Sequence, residues 1–382
     1  MTKPTVVDHL GALVSVATVS GRSVEPLTAY LAERLERLGF RIERYGHPTD
    51  SSRHNLVASK GPLGTDGMVL SGHLDVVPTE GQPWTSDPFA VTPRDGRLYG
   101  RGTADMKGFL AATVSACERL ADAPLTRELV LAFTYDEEVG CLGSAELVRQ
   151  LQAQGRPLPR ACLIGEPTSF QVLRAHPGHS AVRVDVVGRA AHSSRPGLGV
   201  NAIEAAARIV RRLERLADEL RGERAHEDLL ERPWVVLNTA SIAGGAAVNI
   251  VPDRCTLRVG FRQLPGSSAD AVFQRIAGAV RALDLGQAHV HVELERVTPS
   301  LLTPPNTELE HHLRSCGYHG GTGAASFATD GGNFALHGMD CLVFGPGDIA
   351  VAHQADEYVP ERELHEAVDW MERLVLSKCC TS

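Results

Sequence analysis

The chain has 382 residues, 43% of them hydrophobic and 22% charged, a globular balance in a chain too long for one core of ordinary size, so two domains are expected. Its formal net charge of -8 argues against a nucleic-acid partner. The arginines between 208 and 215 alternate with Ile209, Val210 and Leu213, as on the solvated face of a helix. The N-terminal residues hold no apolar core of signal-peptide length and no run approaches a membrane span, so no membrane partner is expected. The eight cysteines include no Cys-x-x-Cys pair, and the expected compartment is the cytoplasm, with reduced thiols.

Leu27, Leu31, Leu35 and Leu38 recur at helical spacing and predict a core-facing stripe. Short strands are expected at 41–45, 55–59 and 68–70. The last runs from Met68-Val69-Leu70 toward His73 and Asp75, and reads as a buried strand that ends by presenting polar groups. In an extended chain these two side chains point the same way. A glycine-rich loop, 99–105, turns at Asp105 into a helix expected from Met106 to about Leu120. The apolar run Leu129-Val130-Leu131-Ala132-Phe133-Thr134 is of strand length and ends in Tyr135-Asp136-Glu137-Glu138. A helix over 144–154 and a buried strand over 161–164 follow, the strand ending in Gly165-Glu166-Pro167. Strands alternating with helices predict a mostly parallel sheet flanked by helices, an α/β fold. Each strand ends by delivering an ionisable residue, where open α/β sheets place their sites.

The pattern changes after about Leu173. Residues 181–187 alternate with period two, then come a helix over 201–220, strand-like runs at 235–241 and 256–261, and a helix over 269–285. These predict a smaller α+β domain inserted into the first. The expected division is 1–174, an insert at 175–294, and 295–382, where helix 308–316, strand 341–344 and helix 361–376 complete the first domain.

His73, Asp105, Glu138, Glu166 and His353 fall at strand ends and in loops. Singly, each has an ordinary reading: a core histidine, an N-cap, an acidic turn, a loop polar group. Together, two imidazoles and three carboxylates suit a pair of zinc ions. One carboxylate must bridge, because paired metals sit only about 3.5–4 Å apart. Asp105, at a loop turn between small residues, is the natural bridge. Glu137 and Glu138 would point to opposite sides of a strand, but past the strand end the chain bends and both can enter one site, one as ligand and one moving protons. A solvent-facing acidic turn is the alternative. A carboxylate two residues from a histidine, such as Asp75, can hold one ring nitrogen and leave the other for a metal.

Gly72-His73-Leu74-Asp75-Val76-Val77-Pro78, the segment from Gly100 to Gly108, Asp136-Glu137-Glu138 and Gly165-Glu166-Pro167-Thr168 resemble the four motifs of the M20 family of dizinc amidohydrolases. Trp84-Thr85-Ser86-Asp87-Pro88-Phe89, Gly199-Val200-Asn201-Ala202 and Ala352-His353-Gln354 extend the similarity over nearly the whole chain. The resemblance implies that His73 and Glu166 hold one zinc, Glu138 and His353 the other, and that Asp105 bridges; cobalt or manganese could occupy the same ligands. It implies Glu137 as general base, Asp75 orienting His73, and a cis peptide between Asp105 and Met106. It also implies that His192 reaches in from the smaller, lid-like domain of a partner subunit, so that the active unit is a homodimer. Arg262 matches an arginine that binds the substrate's carboxylate, with Asn249 as a polar neighbour.

The implied reaction is hydrolysis of the amide bond of an N-acyl amino acid. N2-acetyl-L-ornithine, cleaved to L-ornithine and acetate in arginine biosynthesis, is the first choice; N-succinyl-diaminopimelate, N-acetylcitrulline and dipeptides are the alternatives. The chain departs from the deacetylases of the family at 326–333, where they usually carry a glutamate followed by a small residue. Asp330 would keep the charge in the substrate pocket, one methylene shorter. A non-catalytic homologue is the reading from another class, and the competent residues at Glu137 and all five ligand positions speak against it. Cys379 and Cys380 are given no role.

Overall fold

A computed structural model describes residues 4–226 and 228–380. The chain forms two compact units, one of Met1–Arg174, Thr303–Gly323 and Thr329–Ser382, the other of Ala175–Leu302 and Ala324–Ala328.

The first unit starts with helices α1 (Val6–Val14) and α2 (Glu25–Arg37) and the antiparallel strands β1 (Arg41–His47) and β2 (Asp50–Lys60). Then come β3 (Met68–His73), the short strands β4 (Thr92–Arg94) and β5 (Arg97–Tyr99), α3 (Lys107–Arg119), β6 (Leu129–Thr134), α4 (Leu142–Gln154), β7 (Ala161–Ile164) and β8 (Val172–His176). β3 pairs in parallel with β6 on one side and β7 on the other, and every residue of the three strands is buried. Burial on both faces is why they read as unbroken apolar runs. Their common direction brings His73, the turn after Thr134 and the loop after Ile164 to the same edge of the sheet.

Small residues let α3 lie close over that edge. Gly165 has no room for a side chain: a Cβ there would stand 2.0 Å from the Phe109 ring of α3. Phe109, Leu70, Leu110, Leu163 and Phe344 belong to one buried apolar cluster that holds the helix on the sheet. About 25 cal/mol per Å² of apolar surface removed from water stabilises such packing.

The second unit contains β9 (His179–Val187), α5 (Ala202–Arg221), β10 (Val236–Gly244), β11 (Arg254–Arg262), α6 (Ala269–Arg281), β12 (His289–Thr298) and β13 (Leu301–Leu302). Its sheet runs β10-β11-β9-β12, all antiparallel. Along β11, buried and more exposed residues alternate, and the buried ones pack with Ile209, Leu213 and Leu216 of α5 and Ile276 and Val280 of α6. The return to the first unit falls at Thr303 rather than 295, because β12 runs on to Thr298, opposite His179 of β9.

The remaining elements are α7 (Glu308–Ser315), β14 (Thr322–Ala324), α8 (Gly331–Leu336), β15 (Asp340–Val343), β16 (Tyr358–Pro360) and α9 (Glu361–Cys379). β15 pairs in parallel with β7. Among the described residues no helix is long and apolar enough to cross a membrane.

Candidate metal centre

His73 is the last residue of β3 and is buried. Its Nδ1 donates to the Asp75 carbonyl oxygen at 2.9 Å, which leaves Nε2 facing Asp105 Oδ1, also at 2.9 Å. Asp105 lies just before α3, and its peptide bond to Met106 is cis. Its other oxygen, Oδ2, is 3.2 Å from His353 Nε2, which is itself 2.9 Å from Glu138 Oε2. Two donor groups result. His73, Asp105 and Glu166 place ligand atoms within 4.8 Å of one another, and so do Asp105, Glu138 and His353. Asp105 is common to both.

Glu137 and Glu138 reach the same region because Asp136, at φ +52°, bends the chain directly after β6. The buried Asp136 carboxylate turns away, accepting from Gly21 N at 2.7 Å and from Arg53 Nη1 at 2.6 Å. Burial, reinforced by neighbouring carboxylates, pushes Glu137 and Glu166 well above the usual carboxylate range and Glu138 up to about 7. Burial also opposes ionisation of Asp105, but hydrogen bonds from His353 and His73 outweigh it and hold this acid below its ordinary value. Hydrogen bonds to Asp105 and Glu138 raise His353 to about 10. So many acids crowded together repel one another when ionised. Divalent cations would relieve that repulsion, and donors consisting only of imidazole nitrogen and carboxylate oxygen fit them.

Asp75 acts differently from the expectation that its carboxylate orients His73. Its backbone carbonyl takes the ring N–H, and the carboxylate stands 3.8 Å from Nδ1. That carboxylate instead accepts from Glu137 N at 3.0 Å, Glu138 N at 3.3 Å and Ser20 Oγ at 2.7 Å. It therefore shapes the turn that carries both glutamates. The Cys141 thiol donates to Glu137 Oε1 at 3.2 Å.

Asp330 was expected to line a substrate pocket, and here the structure differs. Asp330 is 2% exposed, and its two oxygens accept from Thr134 Oγ1 and Ser144 Oγ, each at 2.5 Å. It precedes α8 and stands behind Glu137 and Cys141, within 4.8 Å of their polar atoms. Sequence reasoning passed over Arg101 and Glu357, a buried ion pair at 2.6 Å. Each lies four residues from a donor, Asp105 or His353, and that spacing within the motif segments was the available signal.

The other three candidates belong to the second unit. His192 is exposed, with Nδ1 2.8 Å from Ser194 Oγ. Asn249 is exposed after β10, and its carbonyl oxygen accepts from Ser193 N at 3.0 Å. Arg262 ends β11 and lines a cavity with Arg232, Trp234, Val236 and Ala325. Burial, with the charges of Arg232 and Arg296, lowers its pKa from the ordinary arginine value.

Residues 69–377 match Peptidase family M20/M25/M40, and the chain belongs to that family. It is an M20 family hydrolase. In sequence it is similar to the acetylornithine deacetylase of Myxococcus xanthus, 34% identical over 384 residues that cover 99% of this chain and 98% of the relative. It is 33% identical over 385 residues to that of Klebsiella pneumoniae (strain 342), covering 98% of each. Its fold is similar to that of an M20 family metallo-carboxypeptidase from Sulfolobus solfataricus, with a TM-score of 0.79 and 18% identity over 98% of this chain and 99% of the other. A dinuclear metal binding M20 peptidase of Bacillus subtilis gives a TM-score of 0.69 at 14% identity, covering 97% and 96%.

Proposed function

We propose that the protein hydrolyses the amide bond of an N-acyl amino acid, with N2-acetyl-L-ornithine first, and that it does so with two zinc ions. The sharing of Asp105 by two donor groups beside Glu137 carries this reading. His73 and Glu166 would hold one ion, Glu138 and His353 the other, and Asp105 both. When bound, such ions polarise the scissile carbonyl and make a water easier to deprotonate.

Glu137 takes a proton from the attacking water and returns it to the leaving amine nitrogen. Asp75 and the Cys141 thiol hold this carboxyl in place from its backbone and side-chain ends. Asp330 contributes a fixed charge behind Glu137 rather than a contact with substrate. Arg262 offers the substrate's carboxylate two parallel N–H bonds. Asn249, expected as its neighbour, instead lies past the far end of β10 beside His192, since Arg262 pairs with Val236 and Gly244 with Cys255. His192 of a partner subunit supplies a donor to the developing oxyanion, so the working unit is a homodimer. The reading places the enzyme in the cytoplasm, in arginine biosynthesis.

One observation favours a second substrate. Arg232 joins Arg262 at the cavity of the second unit, which Glu231 also lines. A substrate with a further carboxylate, such as N-succinyl-diaminopimelate, would answer the extra cation. Zinc-loaded protein assayed on a panel of N-acyl amino acids decides between them. Acetate release from N2-acetyl-L-ornithine well above that from the other substrates supports the first choice, and no release overturns it.

A further inference from the structure

We propose that Arg101 is a positioning residue whose guanidinium fixes Asp105 and His353 relative to each other, through Glu357 on one side and Gln82 on the other. The inference rests on the metal centre proposed above.

Arg101 is 1% exposed. Its Nη1 donates to Glu357 Oε2 at 2.6 Å and to the Gln354 carbonyl at 3.3 Å. Glu357 Oε1 accepts the backbone N–H groups of Ala104 and Asp105, both at 3.0 Å. The other fork of the guanidinium, Nη2, donates to Gln82 Oε1 at 2.5 Å, and Gln82 Nε2 donates to the His353 carbonyl at 2.9 Å. One planar cation thus reaches the backbone of the shared carboxylate and the backbone of a histidine in separate loops, each through a single side chain.

The loop that carries His353 needs such support. His353 and Asp356 both adopt left-handed backbone, at φ +62° and +56°, a conformation that persists in a non-glycine residue only where its surroundings hold it. Asp356 Oδ1 accepts from Thr85 N at 2.9 Å and from Thr85 Oγ1 at 3.0 Å, a second tie to the segment around Gln82. The Trp84 ring covers the guanidinium, 5.0 Å from its central carbon, and the Trp84 indole donates to Gln82 Oε1 at 3.1 Å.

A buried ion pair is by itself weak evidence for stability. Here Glu357 holds the backbone of Asp105 directly and Arg101 reaches that of His353 through Gln82, which is what a second layer of support for a metal centre does. Lysine could not replace Arg101, because a single ammonium lacks the rigid fork that serves two acceptors in different directions.

The test is calorimetric titration of metal-free protein with zinc, for the wild type, Arg101→Lys, Glu357→Gln and Gln82→Ala, with circular dichroism to confirm folding. The wild type should take up two ions. Gln82→Ala, a change at a half-buried side chain, should weaken one ion about 10–100-fold and the other much less, because the carbonyl it frees is that of His353. Arg101→Lys and Glu357→Gln should weaken both, because Asp105 serves both. Folded variants that bind both ions as the wild type does would overturn the inference; should Arg101→Lys not fold, Gln82→Ala decides alone. A wild type that takes up fewer than two ions would refute the metal centre itself, a different result from unaltered variants of a two-ion protein.

Discussion

The Asp75 carboxylate accepts the backbone N–H of Glu137 at 3.0 Å. The two residues lie just past the ends of the neighbouring parallel strands β3 and β6, and this bond sets where the proposed base stands relative to His73. Asp75→Ala should therefore lower kcat about 100-fold, the scale expected when a reacting group is displaced by about 1 Å. KM should change little. Steady-state kinetics with metal content measured in parallel checks this, and an unchanged kcat at full metal content would contradict it.

Glu137→Gln should cut turnover by about 10²–10⁴-fold, the usual contribution of a positioned base, while zinc uptake stays intact. The same change removes one of several buried, mutually repelling carboxyls. The metal-free variant should therefore melt at a higher temperature than the metal-free wild type near pH 8. Thermal scans of both forms read this directly.

Metal binding should release protons. Burial and the charge of Asp105 raise Glu138 to about 7, from 4.5. Between those values the folded metal-free protein holds a proton that the unfolded chain has lost, so this group's contribution to stability falls as pH rises through the window. His353, raised to about 10 from 6.5, contributes stability that is complete below 6.5 and is lost as pH rises toward 10. Both must give up their protons to become ligands. Titration with zinc at pH 6.5, in buffers of different ionisation enthalpy, should show at least one proton released, and fewer for Glu138→Gln. No release would contradict these assignments.

Arg262→Ala should raise KM with little change in kcat, the signature of lost ground-state binding. His192→Ala should do the reverse, lowering kcat far more than it weakens self-association measured by sedimentation. A monomer with full activity would remove His192 from the proposed site.

The strands that carry the centre were legible because burial on both faces makes β3, β6 and β7 continuous apolar segments. β12 was not, because its outward side chains include His289, His291, Glu293 and Glu295, which mask the strand in the sequence and displaced the expected boundary. The metal-donor candidates stood out as ionisable residues closing apolar runs or lying in motif loops. Their supports did not. Asp75 meets Glu137 across 62 residues and Arg101 meets Glu357 across 256, and no local pattern reports such pairs. Asp330 was read by its charge, but its position is decided by Thr134 and Ser144, which engage both oxygens inside the protein.

Anomalous diffraction from crystals grown with zinc tests the central claim most directly. Two peaks about 3.5–4 Å apart are predicted, one beside His73 and Glu166, one beside Glu138 and His353, with Asp105 touching both. A single peak, or none among these side chains at full zinc, would contradict the account.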